Sequence, residues 1–203
     1  MASLQIKSKL PNVGTTIFTT MSAMAQEYGA INLSQGFPDY DIDPSLKELV
    51  DHYIQKGYNQ YAPMSGVKEL RSEIAHKIFR SYGYKPDHGT EITITNGATE
   101  ALYNVIATFI NPGDEAIIFE PAYDSYRPAI ELHGGKVVPI KMLAPDYKMN
   151  WDEVGRKITD RTRMIIVNSP HNPTGTIWGK DDIEQLINPV SYTHLTLPTI
   201  YSV

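Results

Sequence analysis

Three stretches of this chain hold residues suited to binding an anionic or flat aromatic ligand. In Thr95-Asn96-Gly97-Ala98-Thr99 a strand-like segment runs into a helical one. Free backbone N–H groups and the positive end of a helix converge there, where a phosphate would sit, and Gly97 permits close approach. An ordinary helix cap explains the same residues when they stand alone. The stretch is neither a Walker A loop nor a dinucleotide fingerprint, because no Gly-Lys-Ser/Thr and no GxGxxG is present. Pro121-Ala122-Tyr123 follows an apolar run, which places Tyr123 at the edge where α/β proteins bind ligands. Its ring would stack on a heterocycle, or simply pack on its own loop. Asn168-Ser169-Pro170-His171-Asn172-Pro173-Thr174-Gly175 leaves a further apolar run. Its two prolines restrict the backbone, so Asn172 has little entropy left to lose as a hydrogen-bond donor. Turn formation alone also accounts for its Asn and Gly.

The elements that must position these stretches follow from apolar spacing. Residues 1–43 are rich in Gly, Thr and Pro and hold one short helix near 18–28, so they read as an arm. Asp43-Pro44 opens a second helix with Leu46, Leu49, Val50, Tyr53 and Ile54 at helical spacing, and Gly57 stops it. Val67, Leu70, Ile74 and Ile78 form the stripe of a third, with Arg71 among the residues off it, closed by Gly83. Strands are predicted at 91–95, 115–119, 136–140 and 163–167. A helix at 99–110 turns Leu102, Val105, Ile106 and Phe109 inward, and another begins over 180–187. Such alternation predicts an α/β fold with a mainly parallel sheet covered on both faces.

Composition narrows the function classes. With 203 residues, 41% of them hydrophobic, a sizeable core is available. A net charge of -5 and the lack of a Lys/Arg-rich run argue against a nucleic-acid partner. The absence of cysteine excludes disulfides, thiolate metal sites and cysteine nucleophiles. Six histidines are scattered without ligand spacing, so no metal is expected. Neither a signal-peptide core nor an apolar run of membrane-spanning length is found, and a cytoplasmic location is expected, with no membrane partner.

The end of the chain is anomalous. Val190-Ser191-Tyr192-Thr193-His194-Leu195-Thr196-Leu197-Pro198-Thr199 has neither helical nor alternating order. It is the translation of GTC TCT TAT ACA CAT CTG ACG CTG CCG ACG, which resembles read-through of a transposase-based sequencing-library adapter. The next adapter base, A, opens every isoleucine codon and suits Ile200, and a later GTG TAG gives Val203 and a stop. Native sequence is therefore expected to end near Asn188, with 189–203 an adapter-derived tail that does not pack on the sheet. The alternative is a natural tail of β-forming residues.

Taken together, the Thr95–Ala101 turn, Asn111-Pro112-Gly113-Asp114, Pro121-Ala122-Tyr123 and the Asn168–Gly175 loop occur in the order and spacing of class I/II aminotransferases. The resemblance runs from about Ile17 to Leu186. Asn32-Leu33-Ser34-Gln35-Gly36-Phe37-Pro38-Asp39 and Asn59-Gln60-Tyr61 are similar to the branch of methionine and kynurenine aminotransferases and related cysteine-conjugate β-lyases.

This resemblance implies a fold type I transferase fold that uses pyridoxal 5'-phosphate. Residues 1–43 would be the N-terminal arm and part of a small domain, and 44–188 a partial cofactor-binding large domain. By the same resemblance Gly97, Ala98 and Thr99 match the phosphate cup, Tyr123 the stacking ring and Asn172 the donor to the cofactor's phenolic oxygen. Tyr61 matches a residue reaching the phosphate in the partner subunit of a homodimer, and Gly36 a backbone position near the substrate carboxylate. The family's cofactor-anchoring lysine, the aspartate at the pyridine nitrogen, a second tyrosine and the substrate-binding arginine would all lie beyond Asn188. The chain as written is thus expected to be inactive. Implied substrates are an amino acid and a 2-oxo acid. A C–S β-lyase on the same scaffold, or a non-catalytic effector- or nucleotide-binding module, are the other readings.

Overall fold

The structure, a computed structural model, describes residues 7–191 apart from 12, 37 and 39. It divides into two units, one spanning Val13–Thr95 and one that takes the residues before Val13 together with those from Asn96 onward and holds the sheet.

In the first unit the helix starts are set by side-chain caps. Thr16 accepts from the N–H of Thr19 at 3.2 Å and opens α1, Ile17–Glu27. Asp43 accepts from Ser45 N at 2.8 Å and from Ser45 Oγ at 2.7 Å, with Pro44 as the first residue of α2, Pro44–Gln55. Both bonds favour the charged form and hold the Asp43 carboxyl below its usual range. Helix α3, Lys68–Tyr82, ends at Gly83, whose φ of 74° is left-handed. Its buried residues are Arg71, Ala75 and Ile78, so the inward face is rotated from the predicted stripe and includes an arginine. The Arg71 guanidinium is held by the carbonyls of Gly66 and His88, which accept from two of its donors inside the unit. Neither α1 nor α2 buries a residue, and Leu46, Leu49, Val50, Tyr53 and Ile54 remain about half exposed.

The strand expected at 91–95 does not form. Ile94 N donates to Ser65 O at 3.0 Å, but no ladder of such pairs runs along the segment, and strand character needs one.

The second unit is built around β1, Glu115–Glu120, which follows α4, Gly97–Phe109. Residues 115–119 of β1 are all buried, which an alternating strand achieves only with apolar cover on both faces. Ala116 and Ile118 face one core, with Ile106 and Ile110 at the end of α4 and Tyr126, Ala129 and Ile130 of α5, Tyr126–Leu132. Ile117 and Phe119 face the other, with Ile140 of β2, Lys136–Lys141, and Trp151 and Val154 of α6, Trp151–Lys157. Trp178 and Leu186 complete it, the latter on α7, Lys180–Ser191. Strand β3, Thr162–Ile165, closes a parallel sheet of order β2-β1-β3, in register Ile117↔Val138 and Ile117↔Ile165. The predicted α/β class with a parallel sheet is what the second unit shows.

Differences in detail have local causes. Phe109, expected inward, is exposed because Ile106 and Ile110 supply the inner face of that helix turn. Helices α5 and α6 are not among the elements read from the sequence, although Asn150 caps α6 by accepting from Glu153 N at 3.1 Å. Helix α7 continues to Ser191, past the point where native sequence was expected to end; Leu195 and Leu197 lie outside the described residues. Among the described residues no helix is long and apolar enough to cross a membrane.

At the amino end of the sheet Glu115 is buried. It accepts from Thr159 Oγ1 at 2.7 Å, Arg161 at 3.1 Å and Lys136 at 3.2 Å, so one carboxylate ties β1 to the starts of both neighbouring strands.

Candidate functional site

The helices that follow two adjacent strands leave to opposite faces. After β1 the chain turns into α5, which packs with Ala116 and Ile118; after β3 it turns into α7, which packs with Ile117 and Phe119. Strands whose exits diverge in this way leave a crevice outside their carboxyl ends, the usual ligand position in a parallel sheet. Tyr123 and Asn172 sit on the two exit loops.

Helix α4 brings its amino end to the same place. Thr99 Oγ1 lies 3.1 Å from the hydroxyl of Tyr123, joining the first turn of α4 to the loop after β1. Gly97, the first residue of α4, has a φ of +81° and open space where a Cβ would stand. Glu100 accepts from Asn96 N at 2.6 Å and satisfies that outer donor. The N–H groups of Ala98 and Thr99 belong to the first turn, which has no intrahelical acceptors, and both residues are exposed. These are the donors that would hold a phosphate, and the residues present fit one.

Tyr123 is half-buried and forms a T-shaped pair with Tyr126, at a centroid distance of 5.7 Å and 73° between planes. Tyr126 is buried, which pushes its phenol pKa up, with the neighbouring Tyr123 adding to the shift. A ring held in this way has little freedom to lose when a ligand packs on it.

The loop 168–176 is closed by its own hydrogen bonds. Asn172 N donates to Asn168 Oδ1 at 2.8 Å, His171 N to Thr176 O at 2.8 Å, and Gly175 N to His171 O at 2.7 Å. The His171 ring is buried, pairs with Thr174 Oγ1 at 2.9 Å and bonds the backbone of Phe119. The loop is thereby pinned to β1, the strand that leads to Tyr123. Asn172 itself is exposed, and its side-chain amide has no hydrogen-bond partner among the described residues.

Thr99 and Tyr123 are thus in contact, and Asn172 rides on a loop fixed to the same strand. Tyr61 and Gly36 lie in the other unit, where Tyr61 is fully exposed. Among the described residues no cluster of His, Asp or Glu is arranged to hold a metal ion. Sequence reasoning leaves out Tyr126, a backing residue whose apolar spacing with Ala129 and Ile130 marks it as core, whereas His171 reads from the sequence as a structural residue of its loop and is one.

Comparison with known proteins gives a consistent family. A family model described as aminotransferase class I and II matches residues 28–198, a span that runs on into the segment read as an adapter. Methionine aminotransferase of Escherichia coli K12 is 52% identical over 180 residues, which are 89% of this chain and 47% of that protein. A probable N-succinyldiaminopimelate aminotransferase, DapC, of Mycobacterium tuberculosis is 42% identical over 84% of this chain and 43% of its own. A solved structure of YbdL from Escherichia coli, identified with a methionine aminotransferase function, superposes with a TM-score of 0.91 at 49% identity, over 95% of this chain and 50% of that one. An aspartate aminotransferase structure from Thermus thermophilus gives a TM-score of 0.82 at 30% identity, over 93% and 51%. The chain spans about half the length of the relatives it matches.

Proposed function

Because the chain belongs to the class I and II aminotransferases, we propose that the full-length protein moves an amino group from an amino acid to a 2-oxo acid with pyridoxal 5'-phosphate as cofactor. Class I and II aminotransferases of this fold use that cofactor. When bound, it supplies the electron sink for chemistry at the substrate's Cα.

The residues of this chain bind and orient it. The N–H groups of Ala98 and Thr99 donate to the phosphate, beside a Gly97 that leaves the approach open. The ring of Tyr123 packs against the flat face of the pyridine, and the amide of Asn172 donates to the phenolic oxygen. The observation that carries this reading is the 3.1 Å contact between Thr99 and Tyr123, which puts a helix amino end beside an aromatic ring. Tyr61 and Gly36 serve the phosphate of a second copy and the substrate carboxylate; full exposure of Tyr61 supports a role outside its own unit. The protein works as a homodimer in this reading. The E. coli relative, a methionine aminotransferase, makes methionine the first donor to try.

The test is an assay of the full-length protein with pyridoxal phosphate, methionine and a panel of 2-oxo acids. Formation of the cognate amino acid from the 2-oxo acid is the expected result. Release of ammonia and pyruvate from S-alkyl cysteines without amino transfer would instead assign the β-lyase reading.

A further inference from the structure

Tyr123 is fixed at two points by different kinds of contact. Its hydroxyl meets Thr99 Oγ1 at 3.1 Å, and either oxygen can be the donor. Its ring and that of the buried Tyr126 meet nearly at right angles, with centroids 5.7 Å apart and 73° between planes. A phenol hydroxyl lies on the axis from Cβ through the ring, so a bond there leaves rotation about that axis free and fixes where the tip points, which is χ1. The ring-on-ring contact does the opposite and fixes the ring's rotation, χ2. Both restraints together set the plane of the ring.

Building on the cofactor reading above, we propose that the Thr99 hydroxyl is a positioning group for Tyr123 and is not itself a donor to the phosphate. The phosphate is then served by backbone N–H groups of the first turn of α4, which need no side chain, while the side chain of the same residue holds the stacking ring. One residue thus sets the distance between the anion site and the aromatic face. A ligand with both a phosphate and a flat ring at that separation binds better than either part alone, because the ring is already in place. Inorganic phosphate, having no ring, gains nothing from the Thr99 hydroxyl.

The experiment uses the full-length apoprotein, titrated with pyridoxal phosphate and separately with inorganic phosphate, in the variants Thr99→Val, Thr99→Ser, Tyr123→Phe and Thr99→Val/Tyr123→Phe. Thr99→Val and Tyr123→Phe each weaken pyridoxal phosphate binding about fivefold, the order expected for one neutral hydrogen bond. The double variant is no weaker than either single one, since both remove the same bond. Thr99→Ser keeps the hydroxyl and stays near wild type, and inorganic phosphate binds Thr99→Val as it binds the wild type. Losses that multiply in the double variant, or weakened inorganic phosphate binding by Thr99→Val, would overturn the inference while leaving the cofactor site in place. A wild-type apoprotein that takes up no pyridoxal phosphate would overturn the cofactor reading, and the inference with it.

Discussion

The buried ring of His171 is hydrogen-bonded to the backbone of Phe119, tying the loop that presents Asn172 to the strand that leads to Tyr123. Burial lowers the His171 pKa from its usual 6.5, and the bond to Phe119 opposes the shift without cancelling it. A histidine whose folded pKa is depressed binds its proton more readily in the unfolded chain. Its contribution to stability is therefore full above 6.5 and is lost as the pH falls from there through the folded value. The unfolding midpoint of the full-length protein in urea should drop between about pH 7 and pH 5. His171→Gln should flatten that part of the profile, and an unchanged slope in the variant would remove His171 from the account.

Glu115 makes a second pH-linked contribution at the other end of the sheet. The bond from Thr159 is the main cause holding its carboxyl below the usual range; Lys136 and Arg161 add to it, and burial opposes it. A depressed carboxyl stabilises the fold above the unfolded value of about 4.5, and that stability disappears as the pH falls through the folded value. Lys136 and Arg161 are 66% exposed, so solvent screens their pull, whereas the Thr159 bond is sheltered. Thr159→Val should cost about 1–2 kcal/mol and Arg161→Met less than about 0.5 kcal/mol, measured by urea unfolding at neutral pH. Equal losses would show that charge, and not the hydroxyl, is the main partner.

Two glycines should respond in opposite directions. A Cβ at Gly135 would stand 2.4 Å from Ile110 Cγ2 and 2.9 Å from Ile130 Cγ2, both in the closed core beneath α5. Gly135→Ala should cost about 1–3 kcal/mol through overpacking. Gly155, on the exposed side of α6, meets nothing within 4 Å, and Gly155→Ala should stabilise by about 0.5–1 kcal/mol. Thermal melts of the two variants check both signs.

Much of this layout is legible in the sequence. β1 reads as a buried strand because Ala116, Ile117, Ile118 and Phe119 are apolar without alternation, and Asp43-Pro44 marks the start of α2 directly. The segment 91–95 shows the limit: its apolar residues describe a capacity to pair, and pairing depends on a neighbour that local sequence does not specify. Arg71 shows another, since helical periodicity assigns faces by apolarity and cannot anticipate that two backbone carbonyls would hold a guanidinium inside. The contact between Thr99 and Tyr123 was invisible as a distance, although both residues could be named from the motifs that carry them.

The uninterrupted gene should diverge from this chain near Asn188. Sequencing the locus from intact genomic DNA checks this, and we expect an aspartate, a tyrosine and then a lysine flanked by small and hydroxyl residues downstream of Leu186. Recovery of the same Val190–Thr199 stretch in the genome would show the tail to be native, in line with a family match that reaches residue 198.

The affinity of the full-length apoprotein for pyridoxal phosphate tests most directly whether the cofactor binds outside the carboxyl ends of β1 and β3. Removing the ring with Tyr123→Ala should weaken binding about tenfold, consistent with loss of one aromatic stacking partner. Closing the cup with Gly97→Val should abolish tight binding, because a β-branched residue does not tolerate the φ of +81° held there. Lys141→Ala, in the groove lined by Pro139 and Lys157 beside β2, should bind as the wild type does. Wild-type affinity in both Tyr123→Ala and Gly97→Val would contradict the account and place the cofactor elsewhere.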